Sequence, residues 1–150
     1  MFEMNMGTPR FQQDPRVPLN LSAGSVDAMV VDVGNPQCAV VVEDFEHDWR
    51  SLGAEIEKHP YFPKRTNVSF LRRVDSHTID VRFYERGAGE TLSSGTGSTG
   101  AAAVALRLGL VATPVTVLTP AGPLELRAAG DIFLTGPAEI VAGGAFYFGD

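Results

Sequence analysis

Hydrophobic and polar positions along this chain change period several times, and each change marks an element. Ile79, Val81 and Phe83 alternate with Asp80, Arg82 and Tyr84, which predicts a strand over 78–85 with one buried and one wet face. A strand over 67–74 leads into it through Asp75 and Ser76. Between 48 and 60 the period lengthens: Trp49, Leu52 and Ile56 share one side of a helix that Asp48 caps and Pro60 ends. Upstream, strands are expected over 25–33 and 38–43, joined across Gly34, Asn35 and Pro36, with a short one over 2–6. Residues 7–18, with three prolines, read as an extended connection. Short strands over 115–118, 124–127 and 132–134, separated by Pro/Gly turns, bring the total to about seven or eight strands and two helices.

The second helix organises the rest. Residues 85–108 leave a strand, cross a glycine-rich loop and become an alanine-rich run with Val104, Leu106 and Leu108. Arg107 is the only charge in that run, which implies burial nearly all round. Strands in hairpin-length pairs favour antiparallel pairing, and an apolar helix among them needs a cover. The expected fold is therefore α+β: residues 1–150 as a single domain, with a curved, barrel-like antiparallel sheet wrapped around the central helix. The helix N-terminus would open at the barrel mouth, where unpaired N–H groups around Gly95 to Thr99 attract an anion such as a carboxylate. Gly95, Gly97 and Gly100 also spell G-x-G-x-x-G, but the strand ends near Glu85 and Pro120 stands where a ribose-binding acid is wanted. A flexible Gly/Ser linker is the bland reading, yet linkers do not usually run into an apolar helix.

Composition narrows the field. A chain of 150 residues, 44% hydrophobic and 20% charged, is ordinary globular material. A net charge of −6, with twelve scattered Lys and Arg, argues against nucleic acid. No apolar run is long enough to span a membrane and the N-terminus does not resemble a signal peptide, so a soluble, cytoplasmic protein is expected. Cys38 is the single cysteine, which excludes an internal disulfide.

Five strings then become recognisable in order: MGTPRF (6–11), VGNPQCAV (33–40), HPYFPKRTNVSF (59–70), YERGAGETLSSGTGSTGAAAV (84–104) and LTGPAEIV (134–141). Together they resemble the C-terminal half of the diaminopimelate epimerase family. The resemblance implies one of two similar barrel-and-helix domains facing each other across a cleft. It also implies interconversion of LL- and meso-diaminopimelate, in lysine and cell-wall synthesis, without pyridoxal phosphate, other cofactor or metal. By motif, Asn35, Asn67, Glu85 and Arg86 would hold the substrate's distal and α-amino groups, and Gly95 and Thr96 would offer N–H groups to the α-carboxylate. Milder readings make Asn35 a turn residue and Glu85 with Arg86 an exposed ion pair.

Three departures qualify the inheritance. Where the family has a catalytic cysteine, this chain has Ser94. A thiol near pKa 8.5 is brought to thiolate by a helix N-terminus, whereas a hydroxyl on the order of five units harder to ionise faces a deficit of roughly 7 kcal/mol. Ser94 is thus expected to act as a neutral acid or to need a neighbouring base. The family's G-N-P-H is Gly34-Asn35-Pro36-Gln37, so a histidine expected near the catalytic group is a non-titrating glutamine. Finally, nothing resembles the first domain's cysteine motif, and Cys38 lies in an expected buried strand as inert packing. The chain is therefore expected to need a missing N-terminal domain or a second copy, as in a homodimer. Residues 142–150, with Phe146, Tyr147 and Phe148, form a candidate tail strand belonging to that missing domain. Two other classes stay open: a related cofactor-independent racemase, epimerase or dehydratase with Ser94 as acid, and a non-catalytic amino-acid-binding module.

Overall fold

A computed structural model describes residues 1–149. Among them the strands are β1 (Phe2–Asn5), β2 (Arg16–Leu21), β3 (Gly24–Asp32), β4 (Pro36–Val41), β5 (Asn67–Asp75), β6 (Thr78–Glu85), β7 (Gly89–Thr91), β8 (Val115–Thr119), β9 (Gly122–Ala129) and β10 (Asp131–Gly136). The helices are α1 (Trp49–Glu57) and α2 (Gly95–Arg107). One sheet holds all ten strands in the order β1-β10-β9-β8-β6-β5-β4-β3-β2, with β7 beside β6.

The expected α+β architecture of a curved sheet around a buried helix is present, with two differences. The sheet is mixed, because β4 pairs β5 and β6 pairs β8 in parallel while its other pairs are antiparallel. Each parallel pair spans a helix: α1 connects β4 to β5, and α2 lies between β6 and β8. Only such a crossover returns the chain to the same end of the sheet, so the helices themselves set the parallel joins. The sheet also stays open, with β1 and β2 at its two edges.

Alternation along the strands feeds two cores. Ala39, Leu71, Val81 and Phe83 pack with Ala101 to Ala105 of α2 on one face. Cys38, Val40, Val68 and Phe70 pack with Trp49 and Ile56 of α1 on the other. α2 touches β3 to β6 and β8 to β10, so the sheet curls around it. Its small residues permit that approach: a Cβ on Gly97 would lie 2.8 Å from Phe83 Cδ1, and one on Gly100 3.0 Å from Gln37 Cβ.

Two strands escaped the sequence reading. β2 carries Val17, Leu19 and Leu21 inward, but Pro18 within it reads as a breaker. It is tolerated because β2 is an edge strand paired only with β3. β7 is three residues long, below the length at which alternation shows. Asp48 caps α1 as expected, accepting from Ser51 N at 3.2 Å and Ser51 Oγ at 2.7 Å. Residues 142–149 form no strand, and Asp150 lies outside the described residues.

Candidate active site

Topology gathers the sequence-picked residues at one end of the sheet. The β3–β4 turn carries Asn35, β5 starts at Asn67, β6 runs antiparallel to β5 and ends at Glu85, and α2 starts at Gly95. Pairing aligns them further, since Gln37 lies opposite Asn67, and Val68 opposite Tyr84.

Ser94 is the N-cap of α2, in extended backbone and half-buried. Its Oγ accepts from Gly97 N at 3.0 Å, and its carbonyl accepts from Ser98 N at 2.9 Å. Among the amides from Gly95 to Ser98, this leaves those of Gly95 and Thr96 without a partner among the described residues. Two adjacent free N–H groups at the positive end of a helix dipole form an anion seat. A groove of about 420 Å³ beside it is lined by Ser93, Gly95, Phe2, Met4, Leu134 and Pro137, among others.

The amide side chains are already oriented. Asn35 Nδ2 donates to Thr96 Oγ1 at 3.4 Å, and Asn35 Oδ1 accepts from Gln37 Nε2 at 2.8 Å. Gln37 is 1% exposed and packs under Gly100, so its amide ends at Asn35 and not at Ser94. Asn35 is thus a turn residue whose side chain reaches the helix. Asn67 Oδ1 accepts from Arg86 N at 2.9 Å, and Asn67 Nδ2 donates to the Pro36 carbonyl at 3.5 Å. Glu85 accepts from Thr91 Oγ1 at 2.8 Å, while Arg86 Nη1 donates to the Lys64 carbonyl at 3.1 Å. Glu85 and Arg86 therefore bind separate partners and form no pair with each other.

Cys38 points into the α1 core, fully buried, and burial pushes its thiol up to about 12. It stays a neutral packing group. Ser94 Oγ is hydrogen-bonded to no carboxylate or imidazole among the described residues. One group the sequence reading passed over is Glu57, 2% exposed at the end of α1, which accepts from Arg65 Nη2 and from Gly87 N. It was legible as an acid eight positions after Trp49 and one after Ile56, on the apolar stripe.

A curled sheet wrapped around a small-residue helix is a fold the chain shares with solved structures of low sequence identity. The crystal structure of a probable proline racemase from Agrobacterium radiobacter K84, with bound carbonate, superposes with a TM-score of 0.63 at 15% identity, over 88% of this chain and 49% of that one. A Bacillus anthracis phenazine biosynthesis protein of the PhzF family gives 0.52 at 19% identity, over 89% and 40%. The sequence is more specific: the diaminopimelate epimerase family profile matches residues 29–141, and the chain belongs to that family. The diaminopimelate epimerase of Herminiimonas arsenicoxydans is 44% identical over 128 residues, 83% of this chain and 45% of that protein. That of Nitrosospira multiformis is 39% identical over 155 residues, 94% and 56%. The chain thus spans about half the length of the curated relatives it matches.

Proposed function

We propose that this chain is the substrate-gripping C-terminal half of a cytoplasmic, cofactor-independent diaminopimelate epimerase, which interconverts the LL and meso forms once the complementary half is present. The observation that carries the reading is the pair of unpartnered amides at Gly95 and Thr96, set beside the Asn35 amide and the Ser94 hydroxyl. Those amides suit the α-carboxylate. Asn35, Asn67, Glu85 and Arg86 line the same end of the sheet and suit the amino groups and the distal carboxylate, Glu85 as acceptor and Arg86 as donor.

The chemistry follows from the charge that develops. Removing the α-proton leaves a carbanion whose charge flows into the carboxylate, and the two helix amides stabilise it there more than in the ground state. Inversion needs proton removal on one face and return on the other. Ser94, bonded only to a donor N–H, serves as the neutral acid that returns the proton, and the alkoxide so formed, facing the Gly97 N–H, is the base of the reverse direction. The opposite base comes from the complementary half or a second copy, because Cys38 is sealed in the core. The test is α-proton exchange of diaminopimelate in deuterated solvent. Exchange by the assembled halves is expected, and its absence from a folded assembly would sink the proposal.

One observation favours a second reading. A hydroxyl with no base beside it suits elimination, as in a dehydratase-like relative, or a related racemase or epimerase acting on another amino acid. Turnover of proline or hydroxyproline but not diaminopimelate would select it. Ser94→Ala with unchanged ligand affinity, and no turnover in any assembly, would select a binding module.

A further inference from the structure

The end of α1, the loop that follows it and the β6–β7 turn converge on one buried carboxylate. Glu57, at the end of α1, meets Arg65 Nη2 at 2.6 Å and 2.7 Å through its two oxygens and accepts from Gly87 N at 3.0 Å. Arg65 follows Lys64, whose carbonyl takes Arg86 Nη1, and Gly87 follows Arg86 itself. Arg86 is otherwise exposed and is tied at its own N–H only by Asn67. Its place is set by a hairpin turn that the Ala88 N–H to Glu85 carbonyl bond and the Glu85–Gly89 pair close, and that Glu57 grips from outside through Gly87 N.

We propose that Glu57, clasped by Arg65, is a positioning residue for the proposed site: it fixes the Arg86–Gly87 turn so that the Arg86 guanidinium meets a substrate carboxylate at the sheet end. This rests on the function proposed above. Two features set the arrangement apart from plain packing. A carboxylate taken out of water is costly to keep, and an apolar residue would end α1 as well. Arg65 holds φ at 63°, and it is the one non-glycine residue with positive φ among the described residues. Glycine would relax that backbone. Only a long cationic side chain there also reaches Glu57, and strained backbone of this kind persists where its surroundings over-determine it.

The experiment compares Glu57→Gln and Arg65→Lys with the unaltered sequence, each assembled with the complementary half. Glutamine keeps the volume and can still accept from Gly87, but it turns an NH₂ toward the Arg65 guanidinium. Lysine keeps the charge and loses the planar fork. In both, amide exchange at Arg86 and Gly87 is expected to quicken while α2 amides hold. KM for diaminopimelate should rise roughly tenfold in Glu57→Gln, and less in Arg65→Lys, with kcat within about twofold. Unchanged KM in both variants overturns the proposal, as does a fall in kcat at constant KM. Should the unaltered assembly turn over no diaminopimelate, the proposed function fails instead. The clasp is then decided by exchange alone, and unaltered Arg86 and Gly87 protection in both variants overturns it.

Discussion

At the scale of single residues, the site is dominated by what α2 lacks. Its first two turns have glycine at 95, 97 and 100, and each is faced by a neighbour: Leu134 at 3.4 Å, Phe83 at 2.8 Å and Gln37 at 3.0 Å from the position a Cβ would take. Gly97→Ala would press on Phe83 and on Ser94 Oγ, itself 2.9 Å away. Urea unfolding should show a loss of roughly 1–3 kcal/mol, the usual range for overpacking. Ser94 does two jobs that substitutions can separate. Alanine there removes the cap on Gly97 N and should lower stability by about 1 kcal/mol. Cysteine should restore an ionisable acid at the helix N-terminus, where a thiolate is favoured. Assembled with the complementary half, Ser94→Cys is expected to speed α-proton exchange on the order of 10²-fold over the serine form, followed by deuterium incorporation. Equal rates would show that the group at 94 does not move the proton.

At the scale of elements, the periodic segments were legible and the exceptions have physical causes. The alternation of β6 and the cap and stripe of α1 are local properties, so they could be read from spacing alone. The glycine-to-alanine run likewise announced a buried helix. β2 was hidden because Pro18 is disallowed in a central strand and acceptable at an edge, and edge status depends on the whole sheet order. The parallel joins were hidden for the same reason, being set by where α1 and α2 return the chain. Motif order alone singled out Asn35, Asn67, Glu85 and Arg86, which the topology brings to one end of the sheet. The tie between Glu57, Arg65 and Gly87 is a tertiary contact with no local trace. That tie carries a pH prediction. Burial raises the Glu57 pKa, but hydrogen bonds from Arg65 and Gly87 N and the Arg65 charge outweigh it, leaving the carboxyl below the ordinary glutamate value of about 4.3. Between the two values the unfolded chain binds the extra proton and the folded chain does not, so stability rises with pH there. The contribution is complete above the ordinary value and is lost as pH falls through the folded one. Urea midpoints from pH 6 down to 3, about the ordinary value, should decline less in Glu57→Gln than in the parent chain.

At the scale of the whole molecule, one side of the sheet end is unusually apolar. Phe2 and Met4 of β1 are 64% and 63% exposed, and Leu92, just before the α2 cap, is 62% exposed. All three border or lie close in sequence to the groove lined by Ser93, Gly95 and Leu134. Beyond β10 the chain continues past Pro137 without strand pairing, exposing Ile140, Val141, Phe146, Tyr147 and Phe148. Apolar surface beside the proposed site is what a docking face needs, and an open sheet with β1 at its edge can accept another strand. If the complementary half covers this face, calorimetric mixing of the two halves at several temperatures should show a negative heat-capacity change, the mark of buried apolar area. Removing residues 140–150 separates tail from scaffold. Because the tail packs into neither core, thermal unfolding of the shortened chain should match the full chain. If the tail strand joins the other half, its affinity for that half should fall on the order of tenfold or more, about 1.4 kcal/mol or greater. A shortened chain that binds the complementary half as tightly as the full one would confine the docking surface to β1, Leu92 and the groove. The homodimer alternative predicts instead that the chain alone self-associates at high micromolar concentration. A strict monomer by size exclusion would rule it out and leave the second acid/base to the complementary half.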